Sequence, residues 1–131
     1  MRALLLMSDL ALAIPAPAQA QPSHAVAGDW HGTGLQVGPE GVQSSWTIQL
    51  SITAAGAAEI AYPSLGCKSV LHRVTGAPNE TVFREEITQG ACIDGGHISV
   101  MAKNGRLFWF WTSPGTPADA SAVLYPDNLV S

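Results

Sequence analysis

Residues 45–53, SWTIQLSIT, alternate without a break: Trp46, Ile48, Leu50 and Ile52 fall on one side, Ser45, Thr47, Gln49, Ser51 and Thr53 on the other. A period of two with one apolar side marks a half-buried antiparallel strand. Further along, Asn104-Gly105 separates two β-rich runs, and this dipeptide favours a two-residue hairpin because both of its residues tolerate positive φ. Pairing Lys103 with Arg106 sets Val100 opposite Trp109 and Ile98 opposite Trp111 on one face. His97, Ser99 and Met101 then share the other face with Thr112, Phe110 and Phe108.

The same reading along the chain predicts eight strands, near residues 27–36, 43–54, 57–63, 68–75, 80–88, 96–103, 106–113 and 118–125. No segment carries a 3.6-residue apolar period, and thirteen Gly and nine Pro interrupt the chain at short intervals. The expected fold is therefore all-β: an eight-stranded antiparallel up-and-down barrel, or a closely related sandwich. Closure has a physical advantage, because an open meander of this length leaves two unpaired strand edges.

In such a meander, alternate connections lie at one end. The second–third, fourth–fifth and sixth–seventh connections are short (AAG, GAPN, NG), whereas those at the opposite end, Gly38 to Gly41, Pro63 to Cys67, Gly90 to Gly96 and Pro114 to Pro117, mostly run longer. The two cysteines, Cys67 and Cys92, both fall at the longer-loop end. A disulfide there staples neighbouring loops without threading the core; the alternative is two buried thiols.

Composition adds a compartment. Ala3 to Ile14 is an apolar run behind Arg2, and PAPAQA ends in Ala18-Gln19-Ala20, the order of a secretory signal peptide cleaved before Gln21. Asp9 interrupts the run, where an ionised carboxylate is costly. The expected organisation is a signal peptide over 1–20 and a single barrel domain over 21–131, periplasmic or secreted. No later stretch is apolar for long enough to span a membrane as a helix. The net charge is −4 and the basic residues are scattered, which disfavours nucleic acid.

Gly28-Asp29-Trp30 at the head of the first strand, followed by a meander with one wide and one tight end, resembles the lipocalin-like barrels. That resemblance implies a structural plug for Trp30, although residues 107–131 contain no arginine to stack on it. The segments GDWHG, WTIQL, YPSLGC, FREEI, CIDGGHI and LFWFW are also similar to a group of small exported bacterial β-barrel domains, from which Lys68 departs by following the first cysteine in place of glycine. The likeness implies the barrel and the disulfide and brings no activity with it.

Candidate chemistry is sparse. Gly32 to Gly38 lacks both the spacing and the following helix of a phosphate loop. Neither G-x-S-x-G nor H-E-x-x-H occurs, and His24, His31, His72 and His97 are spread out, so no metal site and no cofactor are expected. Asn79-Glu80-Thr81 matches a glycosylation acceptor but also reads as a hairpin turn. Glu85 and Glu86, as strand neighbours, point to opposite faces. On the predicted register Phe83, Glu85 and Ile87 face inward, and Arg73 lies diagonally across from Glu85 on the same face. An internal Arg73–Glu85 ion pair fixing register is the first expectation, and a polar anchor for a ligand is the second. Trp46, Trp109, Trp111, Phe83 and Tyr62 either fill the core or line a cavity, with Gly32 and Gly34 leaving room beside the first strand; a filled core is the expectation.

These features favour a monomeric binding module over an enzyme, since no nucleophile–base constellation is visible. The module takes a small molecule, glycan or protein at the stapled loop end, with Tyr62, Arg73, Glu85, Asp94, Trp109 and Trp111 as candidate binding residues. The alternative is an inhibitor of a secreted protease or lysozyme, working by loop insertion.

Overall fold

The structure is a computed structural model that describes residues 26–77, 79–115 and 118–128. The expected signal peptide, His24, and Thr116 and Pro117 of one long loop lie outside those residues. Eight antiparallel strands form a closed barrel in sequence order: β1 (Gly28–Val37), β2 (Gln43–Ile52), β3 (Ala58–Tyr62), β4 (Cys67–Ala77), β5 (Glu80–Gln89), β6 (His97–Lys103), β7 (Arg106–Thr112) and β8 (Asp119–Pro126). Strand β1 closes the sheet by pairing with β8, with Gly32 opposite Leu124.

The register follows the alternation. Ile48, Leu50 and Ile52 of β2 are buried beside partly buried Trp46, while the residues between them reach the outside. Asn104 and Gly105 both adopt positive φ (56° and 76°), the backbone of a type I′ turn, whose twist matches the strands it joins. The β6–β7 pairing is the expected one, from His97 opposite Thr112 to Lys103 opposite Arg106.

The two ends are closed differently. At the short-turn end, Trp30 is buried and its indole N–H donates to the Val26 carbonyl at 3.0 Å. The chain entering β1 thus folds against the base, and buried Val26 joins the core. Trp30 therefore plugs this end, as the lipocalin-like likeness implied. The space that Gly32 and Gly34 leave beside β1 is already taken: a Cβ on Gly32 would strike Leu124, and one on Gly34 the Trp46 indole. These glycines let large neighbours pack, and they leave no cavity of their own.

At the other end, Cys67 and Cys92 form a disulfide, with Cα atoms 6.2 Å apart. Gly90 makes the approach possible. Its φ of +95° is open to glycine and strained for other residues, and a Cβ there would overlap the Gly66 carbonyl and the Cys67 sulfur. Such a bond fits an oxidising, extracytoplasmic compartment. Among the described residues no helix is long and apolar enough to cross a membrane.

Candidate functional site

The barrel interior is filled toward the short-turn end and hollow at the stapled end. The cavity there has a volume of about 280 Å³. Strands β1, β2, β3 and β7 build its walls. Gln36 and Ser44 face each other across β1 and β2, beside the directly opposed Gly34 and Trp46. Tyr62 closes β3, and Trp109 and Trp111 come from alternate positions of β7. Leu65, Cys92 and Ile93 form the lip, and Glu85 of β5 is the one charged residue in a lining that is polar elsewhere only at Gln36, Ser44 and the Tyr62 hydroxyl.

Glu85 is 1% exposed. Its Oε2 accepts hydrogen bonds from the Tyr62 hydroxyl (2.7 Å) and the Ser69 hydroxyl (2.8 Å), and its Oε1 accepts one from the Trp111 indole N–H (3.2 Å). Donors from β3, β4 and β7 thus converge on one carboxyl group of β5. Burial pushes the Glu85 carboxyl above the ordinary range; the three donors pull it back, and the negative charge of Asp94 adds to the rise. The Tyr62 hydroxyl is pushed up as well, first by burial and then by Glu85, so it remains a donor.

The Trp111 bond depends on a missing side chain. The backbone N–H of Glu85 donates to the Gly96 carbonyl, and the Gly95 N–H donates back to the Glu85 carbonyl. Gly96 therefore sits beside Glu85, where a Cβ would overlap Trp111 Nε1. Glycine opens the channel through which the indole of β7 reaches past β6 to β5.

The expected Arg73–Glu85 ion pair does not form. Leu71 is directly opposite Glu85, and Arg73 is opposite Phe83, so the diagonal relation holds. However, the Glu85 oxygens turn toward the stapled end, where Tyr62, Ser69 and Trp111 lie, and a β-bulge between Arg73 and Thr75 breaks the register beside Arg73. Arg73 Nε is left buried with no hydrogen-bond partner. The expectation of a wholly filled core is likewise corrected: the interior carries a cavity at its wide end.

Of the residues singled out from sequence, Tyr62, Glu85, Trp109 and Trp111 share this cavity, whereas Arg73 and Asp94 are not part of its lining. Asp94 is exposed, and its Oδ1 accepts from the backbone N–H groups of Ile87 (2.8 Å) and Gly95 (2.9 Å), shaping the loop from 90 to 96. Tyr62 is 5% exposed and packs edge-on against Trp109, with ring centroids 6.5 Å apart. Trp109 is fully buried, and its indole N–H has no partner. On the outside, His31 pairs with Asp127 at 2.7 Å and His72 with Glu86 at 2.6 Å.

Ser69 and Gly96 shape the candidate site in ways that the sequence reading did not assign to them. Ser69 had a signal: it occupies an inward position between Cys67 and Leu71, where an apolar residue is the default. Gly96 had none, because its role depends on which strands flank it.

No protein-family model matches the chain, and no curated protein or solved structure matches it to a significant degree. The likeness to lipocalin-like and small exported domains thus reaches as far as the eight-stranded architecture, and the site must be read from its own geometry.

Proposed function

We propose that this protein is an extracytoplasmic binding module, not an enzyme, and that it takes a small, largely apolar ligand into the cavity at its stapled end. The observation that carries this reading is a hollow of about 280 Å³, walled by Trp46, Tyr62, Trp109 and Trp111, with one buried carboxyl group inside it. Ligand sites in small barrels have this composition: mostly apolar walls with a few placed polar groups. The bond between Cys67 and Cys92 supports it further, because it braces two of the loops around the mouth. Loops held on a rigid scaffold are where binding is usually found.

Three of the protein's tryptophans line the cavity, so occupancy should alter indole fluorescence. A screen of small amphipathic compounds, followed by chemical-shift mapping, tests the proposal. The expected footprint covers Leu65, Cys92, Ile93 and the Trp111 indole. A footprint centred on Asn104-Gly105 would reject it.

A second reading has one observation in its favour. Leu65 and Ile93 sit on the disulfide-braced loops and are 50% and 53% exposed, so the lip offers apolar contact to another protein. An inhibitor of a secreted protease or lysozyme would use such loops. Assay against hydrolases of both classes separates the readings, because an inhibitor acts without any small ligand in the cavity.

A further inference from the structure

Ionised Glu85 is a buried negative charge without a countercharge. Its three partners, Tyr62, Ser69 and Trp111, are neutral donors. Arg73, the cation nearest in register, does not pair with it, and the ion pairs among the described residues all lie on the outer surface. Burying a carboxylate is costly unless it is both hydrogen-bonded and paired. The first condition is met and the second is not. The carboxylate also retains acceptor capacity: it offers roughly four lone-pair sites, two bonds fall on Oε2, and only one falls on Oε1.

The rest of the cavity suits a positive charge. Trp46, Tyr62, Trp109 and Trp111 surround the space above Glu85, and aromatic faces attract a cation through their quadrupoles. An anionic ligand would meet the like charge of Glu85. A neutral ligand would leave the buried carboxylate without a countercharge. Toward solvent, half-exposed Leu65 and Ile93 continue the apolar wall.

We infer that the ligand is an organic cation, a protonated amine or quaternary ammonium on an apolar body, with its charge held by Glu85 and the surrounding rings and its body directed toward Leu65 and Ile93. This rests on the reading of the cavity as a ligand site. The ligand supplies the countercharge that the sequence pattern assigned to Arg73 and that the folded barrel leaves out.

The test uses the disulfide-bonded protein and matched probes: 2-phenylethylammonium, its N,N,N-trimethyl derivative, neutral 2-phenylethanol and anionic phenylacetate. Affinities are measured by calorimetry and tryptophan fluorescence at a pH where Glu85 is ionised. At least one ammonium probe is expected to bind tenfold or more tightly than the alcohol, and phenylacetate more weakly than either. Glu85→Gln should remove most of the ratio between ammonium and alcohol affinities. The wild-type comparison stands without any variant, and Trp46→Phe, which keeps an aromatic face at the wall, gives a second test by weakening ammonium binding severalfold. Alcohol binding equal to or tighter than ammonium binding overturns the cation inference and leaves the cavity reading intact. Failure of all four probes to bind overturns both.

Discussion

A carboxyl group that accepts from Tyr62, Ser69 and Trp111 yet meets no cationic side chain is pulled in two directions. Burial favours its protonated form, and the three donors favour its ionised form. Burial is the larger cause, so the folded protein holds the proton more tightly than the unfolded chain, whose carboxyl titrates near the ordinary 4.5. Stability from this group is therefore complete below that value and is lost as pH rises through the folded-state value. The groups that act on it are Tyr62 from β3, Ser69 from β4, Asp94 from the adjoining loop and Trp111 from β7; Arg73 of β4 lies diagonally across the same face without pairing with it. Glu85→Gln has no proton to lose, so its melting temperature should gain on wild type as pH rises above the ordinary carboxyl value of 4.5; a difference that stays constant as pH rises would contradict the assignment. Trp109 tests the neighbouring packing. It is fully buried, and Trp109→Ala should cost about 3–5 kcal/mol in a denaturant titration. An unchanged midpoint would mean that the β7 register is wrong.

Two loops define the working end at the scale of elements. The connection from 90 to 96 is shaped by Asp94 accepting two backbone N–H groups and by Gly90 turning close to Cys67. The disulfide then ties it to the start of β4 across a sequence separation of 25. On the chain-entropy account, closing a loop of that size stabilises by about 3 kcal/mol. The double variant Cys67→Ser, Cys92→Ser should lose that amount in chemical denaturation. Amide exchange should rise first at the loop from 90 to 96, with the Asn104-Gly105 hairpin unaffected. Uniform loss of protection would indicate that the bond supports the whole barrel and not its mouth.

For the whole molecule, closure is the decisive property. The β1–β8 pairing leaves no strand edge on which a second chain can add. Sedimentation across a wide concentration range should show one monomeric species. A dimer appearing at micromolar concentration would point to the exposed lip residues Leu65 and Ile93 as a self-association surface. Closure also explains why one end can be hollow. Trp30, held by its bond to the Val26 carbonyl, fills the base, so the core is complete there and the disulfide-braced end can keep an open cavity.

Alternation and turn chemistry were enough to determine the strands, the hairpin register and the end at which the cysteines meet, because each depends on a local period of two or on a dipeptide's backbone preference. Trp46, Tyr62, Glu85, Trp109 and Trp111 could be assigned to the inward face on the same grounds. Their convergence could not. Glu85 chooses Tyr62, Ser69 and Trp111 over Arg73 because side chains from four strands reach toward the stapled end, and a period of two says nothing about direction along the barrel axis. Gly32 and Gly34 gave the impression of spare room, whereas the closing β1–β8 seam and the Trp46 indole occupy it. Gly96 acquires its role only when β6 lies between β5 and β7. The alternating sequence thus specifies which face each residue joins, and the curvature of the closed sheet decides which of those residues meet.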